Sequence, residues 1–137
     1  MKGESQLQDH EILQELQRTI RMEAEAIGAL ERDMNQQQLL AVTKVLADCT
    51  GKIILSGCGT SAIAAKKIAH SLCCIERPAL FLSPSDAVHG ALGVLQKEDI
   101  LILISKGGNT EELTAMIPAC KHKGSLLIGV SENEMSV

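Results

Sequence analysis

The stretch Ile53-Ile54-Leu55-Ser56-Gly57-Cys58-Gly59-Thr60-Ser61-Ala62 decides the fold. A short apolar run leads through two glycines into hydroxyl residues, and from there into a helical pattern, which is how a βα unit begins. The arrangement returns further on, where Ile100-Leu101-Ile102-Leu103-Ile104 runs into Ser105-Lys106-Gly107-Gly108-Asn109-Thr110 and another helical pattern. In an open α/β sheet, loops at the carboxyl ends of strands face the ligand crevice. The next helix starts there with unpaired N–H groups and the positive end of its dipole. Two hydroxyl-bearing loops in such positions describe an anion site, and a phosphorylated small molecule is the first candidate.

Working outward, strands are expected at 52 to 56, 79 to 83, 99 to 104 and 125 to 130, with helices at 61 to 75, 85 to 92 and 110 to 122. Three of the strands are apolar nearly throughout, as parallel strands covered on both faces are. The order β-α-β-α-β-α-β predicts an α/β fold, a doubly wound parallel sheet with right-handed crossovers. Upstream, Leu13, Leu16, Ile20, Ile27 and Leu30 recur at helical steps within an amphipathic stretch over 7 to 33, and a second helix is expected over 36 to 48. Residues 1 to 50 therefore read as a helical segment packing on the domain or on a partner subunit, and 51 to 137 as the α/β core. After the fourth strand the chain reads Ser131-Glu132-Asn133-Glu134-Met135-Ser136-Val137, where a further helix and strand are expected. The core is thus expected to be incomplete at its C-terminal end, or its open sheet edge covered by a partner. The long helix and that edge together predict a homodimer or homotetramer.

With 137 residues and 45% hydrophobic content, the chain has the size and apolar content of one packed domain. A net charge of -4 argues against electrostatically driven binding to nucleic acid or an acidic membrane. Phe81 is the only aromatic residue, so recognition must come from hydroxyls, charges and backbone. Cys49, Cys58, Cys73, Cys74 and Cys120 lack CxxC spacing, which predicts free thiols packed in the core, a reducing cytoplasmic location and no metal. No apolar run is long enough to span a bilayer.

Gly57-Cys58-Gly59-Thr60-Ser61-Ala62 formally matches the dinucleotide fingerprint. The second strand lacks the acidic end that would hold a ribose, so no nicotinamide or other cofactor is expected. The simpler use of the loop is to turn tightly at its glycines and aim Thr60, Ser61 and the first helical N–H groups at one phosphate. Gly59, Thr60 and Ser61 from the first loop, with Ser105, Lys106, Gly107, Gly108, Asn109 and Thr110 from the second, form the candidate phosphate-binding set. The competing reading is that these residues are ordinary helix caps, for which Ser, Thr and Asn are preferred whether or not a ligand binds.

Gly57-x-Gly59-Thr60-Ser61 followed by Ser105-x-Gly107-Gly108-x-Thr110-x-Glu112 resembles the paired signatures of the SIS, or sugar isomerase, domain. That resemblance implies a flavodoxin-like fold that binds phosphosugars. Within the superfamily, Ser83-Pro84-Ser85-Asp86-Ala87-Val88-His89-Gly90-Ala91-Leu92-Gly93 is similar to a segment of arabinose-5-phosphate isomerases. The implied activity is interconversion of arabinose 5-phosphate and ribulose 5-phosphate, with His89 and Glu112 as candidate catalytic groups. Such chemistry needs a base that moves a proton between adjacent carbons and an acid/base partner for the oxygens; an imidazole titrates in the right range. The isomerases resembled usually carry a lysine where this chain has Thr60. They also use a further histidine and glutamate beyond the matched stretch, and longer members add CBS domains. The alternatives are a non-catalytic phosphosugar-sensing module and a 6-phospho-3-hexuloisomerase.

Overall fold

The structure, a computed structural model, describes residues 9–133 and 135. Two compact units divide between Val42 and Thr43, a boundary that falls inside the second helix. The first unit holds α1, Asp9–Asp33, and the start of α2, Gln36–Ala47. Asp9 and Glu11 lie in the first turn of α1 and Arg32 in the last, the order that complements the helix dipole. Asn35 starts α2 by accepting the Gln38 N–H on its side chain at 3.0 Å. Residues 7 and 8 of the expected first helix lie outside the described residues.

The second unit carries a four-stranded, wholly parallel sheet in the order β2-β1-β3-β4. Its strands are β1 at Ile53–Gly57, β2 at Ala79–Phe81, β3 at Ile100–Ile104 and β4 at Leu126–Val130. Register is direct: Ile53 lies beside Ala79 on one side and Ile100 on the other, and Ile100 beside Leu126. Between β1 and β2 runs α3, Gly59–Cys74; between β2 and β3 come α4, Pro84–Val88, and a 3₁₀ turn at Ala91–Val94. Two short helices, α5 at Glu111–Thr114 and α6 at Ile117–Lys123, join β3 to β4.

Alternation along the central strands builds two cores, as a doubly wound sheet requires. Ile53, Leu55, Ile100 and Ile102 face Ala65 and Ala69 of α3, with Leu46 at the end of α2 packed against them. Ile54, Leu101 and Leu103 face Leu113, Met116 and Cys120 on the other side. Beneath the sheet, buried Asp99 accepts the Lys52 and Gln96 N–H groups at 2.7 and 2.8 Å and pairs with the Lys52 ammonium at 2.9 Å.

The expected fold class and strand order in the chain are therefore observed, while two helices differ. The single helix expected over 110 to 122 is broken in two, because Pro118 has no N–H to continue the first helix's ladder and sits instead in the first turn of α6. The helix expected over 85 to 92 stops at Val88, where Gly90 at φ 110 turns the chain into the 3₁₀ segment. Cys73 and Cys74, expected in the core, are exposed in the last turn of α3, where Cys73 Sγ donates to the Ala79 carbonyl at 3.2 Å, whereas Cys120 is buried.

Candidate functional site

Because β1 connects outward to β2 while its other neighbour is β3, the strand order reverses between β1 and β3, and the crevice at their carboxyl ends opens there. The loops that follow these two strands carry the candidate phosphate-binding residues. Gly57 is required by close approach: a Cβ there would lie 2.9 Å from the Ser61 backbone, so the first turn of α3 can seat itself on the strand only without a side chain. Gly59 then takes φ +54, a left-handed turn that glycine adopts without strain.

The hydroxyls of these loops are not spent on capping. The N-cap of α3 is Cys58, with no side-chain cap, and Thr110 at the N-cap of α5 makes no capping bond either. Ser105 Oγ and Thr110 Oγ1 instead meet each other at 2.8 Å, and the Gly108 N–H donates to Ser105 Oγ at 3.1 Å. Ser56, by contrast, is a buried structural tie between strands, donating to the Leu82 carbonyl at 2.7 Å.

A cleft of about 320 Å³ brings Ser61 from the first loop together with Ser105 and Lys106 from the second. Its remaining wall includes Ser131 and Glu132, which leave the end of β4. Lys106 Nζ lies 4.0 Å from a Glu132 carboxylate oxygen, with both side chains largely in solvent. A smaller cleft of about 160 Å³, lined by Ser105, Gly108, Thr114 and Ser131 over apolar Leu113 and Ile117, lies alongside. Thr60, Gly107 and Asn109 are exposed at the same end of the sheet. α5 has only four residues, so the N-terminal dipole invoked for the second loop is small, and its polarity comes from hydroxyls and loop N–H groups.

Glu112, the second residue of α5, approaches the first loop closely enough to act on Cys58: burial first, and then the Glu112 carboxylate, push that thiol up from its ordinary value. His89 closes α4, which packs against α5, so the two candidate catalytic groups sit on adjoining elements. No hydrogen bond or ion pair among the described residues joins them. Both side chains are exposed. Also among the described residues, no three His, Cys, Asp or Glu side chains gather as metal ligands would, and no helix is long and apolar enough to cross a membrane.

The sequence reading did not single out Ser131, Glu132 and Asn133. The signal was available, since they follow the fourth apolar run as the other two loops follow theirs.

The model of the SIS domain family matches residues 46–137. Arabinose 5-phosphate isomerase KpsF of Escherichia coli O6:H1 is 31% identical over 91% of this chain and 38% of its own length. Arabinose 5-phosphate isomerase KdsD of Pseudomonas aeruginosa is 31% identical over 94% of this chain and 39% of its own. The chain thus spans about two-fifths of the length of these curated relatives. Among solved structures, a candidate sugar-phosphate isomerase of Listeria monocytogenes is 59% identical at a TM-score of 0.93, over 96% of this chain and 69% of that one. An Escherichia coli CFT073 protein solved in complex with arabinose 5-phosphate is 31% identical at a TM-score of 0.87, over 95% and 69%.

Proposed function

Since this chain belongs to the SIS domain family, we propose that it binds a sugar phosphate in the crevice between the β1 and β3 loops. We further propose that it serves an aldose–ketose isomerase acting on arabinose 5-phosphate and ribulose 5-phosphate. The observation that carries the reading is the convergence of Ser61, Ser105 and Lys106 on one cleft while the loop hydroxyls are left uncommitted to capping. A phosphate there would take hydrogen bonds from Ser61, Thr60, Ser105 and Thr110, N–H groups from the first turn of α3 and from Gly107 and Asn109, and charge from Lys106. The sugar would then extend toward α4 and α5. In this reading His89 and Glu112 serve as the acid/base pair that moves a proton between adjacent carbons and between their oxygens. The names of the curated relatives and the arabinose 5-phosphate complex of a 31% identical protein support this substrate class.

A cytoplasmic homodimer or homotetramer belongs to the same proposal; Leu13, Leu16, Ile20 and Leu30 of α1 are exposed apolar residues that a partner subunit would cover. An assay following arabinose 5-phosphate to ribulose 5-phosphate tests the reaction, on this chain and on a longer form extended past Val137. His89→Gln should lower kcat by about 10²–10⁴-fold in the active form while leaving phosphosugar affinity in place. Binding without turnover in the longer form would reduce the protein to a phosphosugar-sensing module. Neither binding nor turnover would overturn the reading.

A further inference from the structure

We propose that Glu132 is a built-in competitor of the ligand: in the free protein it is the counter-ion of Lys106, and a sugar phosphate binds by displacing it. The inference rests on the sugar-phosphate reading above. Among the described residues lining the cleft that joins Ser61 to Ser105, Lys106 and Glu132 carry the charge, one of each sign. A carboxylate in that position opposes a bound phosphate, since like charges repel. Its place is nevertheless fixed by the backbone. The Glu132 N–H donates to the Lys106 carbonyl at 3.2 Å, and Ser131 Oγ donates to the same oxygen at 3.2 Å. The two charged residues are therefore tied main chain to main chain, and their side chains meet at 4.0 Å, Lys106 Nζ to Glu132 Oε2.

The two acid–lysine pairs of the α/β unit differ in the property that matters for exchange. Asp99 is 1% exposed and holds Lys52 at 2.9 Å, a pair that cannot part without stranding a buried charge. Lys106 and Glu132 are 82% and 74% exposed, so either side chain can return to water at little cost. A sugar phosphate carries close to two negative charges at neutral pH against the single charge of the carboxylate. It therefore attracts the ammonium more strongly and also gains the hydroxyl and N–H donors that the cleft supplies. When the phosphate takes Lys106, the Glu132 carboxylate swings into solvent while its N–H stays on the Lys106 carbonyl. The competitor is thus never lost from the site, and every binding event must overcome it.

The sign of the expected effect separates Glu132 from an ordinary contact residue, because removing its charge should tighten binding. In the full 137-residue chain, titrated calorimetrically with arabinose 5-phosphate, Glu132→Gln should bind about two- to fivefold more tightly than wild type, the scale of one exposed ion pair. Glu98→Gln removes the same charge at the far end of β3, five strand residues away. That is about 15 Å at strand rise, beyond the roughly 8 Å screening length at physiological salt, so its affinity should equal that of wild type. A competitor acts only while Lys106 is there to be held. Lys106→Met should bind more weakly than wild type, and adding Glu132→Gln to it should change affinity by less than about twofold. Unchanged or weakened binding in Glu132→Gln overturns the proposal, as does an equal gain in Glu98→Gln or a full-sized gain in the Lys106→Met background. If Lys106→Met binds too weakly to titrate, the comparison of Glu132→Gln with Glu98→Gln decides alone. A wild-type chain that binds no sugar phosphate overturns the underlying reading and the competitor with it.

Discussion

Removing the Asp99 carboxylate is the perturbation whose size the structure fixes best. Its oxygens accept the Lys52 N–H at 2.7 Å and the Gln96 N–H at 2.8 Å, and the Lys52 ammonium lies 2.9 Å away. Asp99→Ala leaves two N–H groups without their acceptor at about 1–3 kcal/mol each. The Lys52 side chain retains 34% exposure and can return to water, so its stranding adds little. The sum is about 2–6 kcal/mol, a range centred on the roughly 3–5 kcal/mol typical of breaking a buried pair by removing one partner. Asp99→Asn keeps one acceptor oxygen and should lose about 1–3 kcal/mol. Burial is the largest single influence on this carboxyl and would raise it, but the hydrogen bonds from Lys52 and Gln96 and the Lys52 charge together outweigh burial and hold it below its ordinary range. A carboxyl depressed in the folded state contributes fully above its unfolded pKa, and that contribution is lost as pH falls through the folded value. Urea midpoints at unchanged slope should therefore separate wild type from Asp99→Asn fully at pH 7, with the gap closing below about pH 4. An Asp99→Ala protein within about 0.5 kcal/mol of wild type at pH 7 would refute the reasoning.

Three further outcomes follow from particular residues. Glu76 occupies a left-handed conformation at φ 59 just past α3, where the Arg77 N–H returns to the Leu72 carbonyl at 3.0 Å; Glu76→Gly should raise stability by about 1 kcal/mol by chemical denaturation, and a loss would contradict that geometry. Gly57→Ala would drive a methyl group into the Ser61 backbone, so we expect a loss of about 1–3 kcal/mol together with weakened phosphosugar binding; a variant of wild-type stability and affinity would show that close approach to be unnecessary. A thiol reagent at neutral pH should label exposed Cys73 and Cys74 first and buried Cys120 last, with Cys58 slowed because burial and Glu112 raise its thiol; mass spectrometry reads the order, and early labelling of Cys58 would count against a raised thiol there.

The two apolar runs at Ile53 and Ile100, each ending in a glycine-bearing hydroxyl loop, made the sheet and its crevice legible, because a fully buried parallel strand and a tight βα turn leave local marks. Period alone could not show that Pro118 would split the last long helical pattern, since Leu113, Met116 and Cys120 keep helical spacing across the break. Nor could it expose Cys73 and Cys74, which sit in the last turn of α3, past the Ala65 and Ala69 contacts that seat the helix on the sheet. Ser105 and Thr110 were legible as site candidates from their loop, but their mutual hydrogen bond was not. Asp99 and the Ser131-Glu132-Asn133 segment escaped because their partners at Lys52 and Lys106 are distant in sequence.

The central claim, that these two loops hold a sugar phosphate through its phosphate group, is tested most directly by calorimetric titration of the chain with arabinose 5-phosphate and with arabinose. Wild type should bind the phosphorylated sugar and ignore the free one, and Ser105→Ala combined with Thr110→Ala should abolish binding at an unchanged fold. Equal binding of both sugars, or full affinity in the doubly substituted chain, would contradict it.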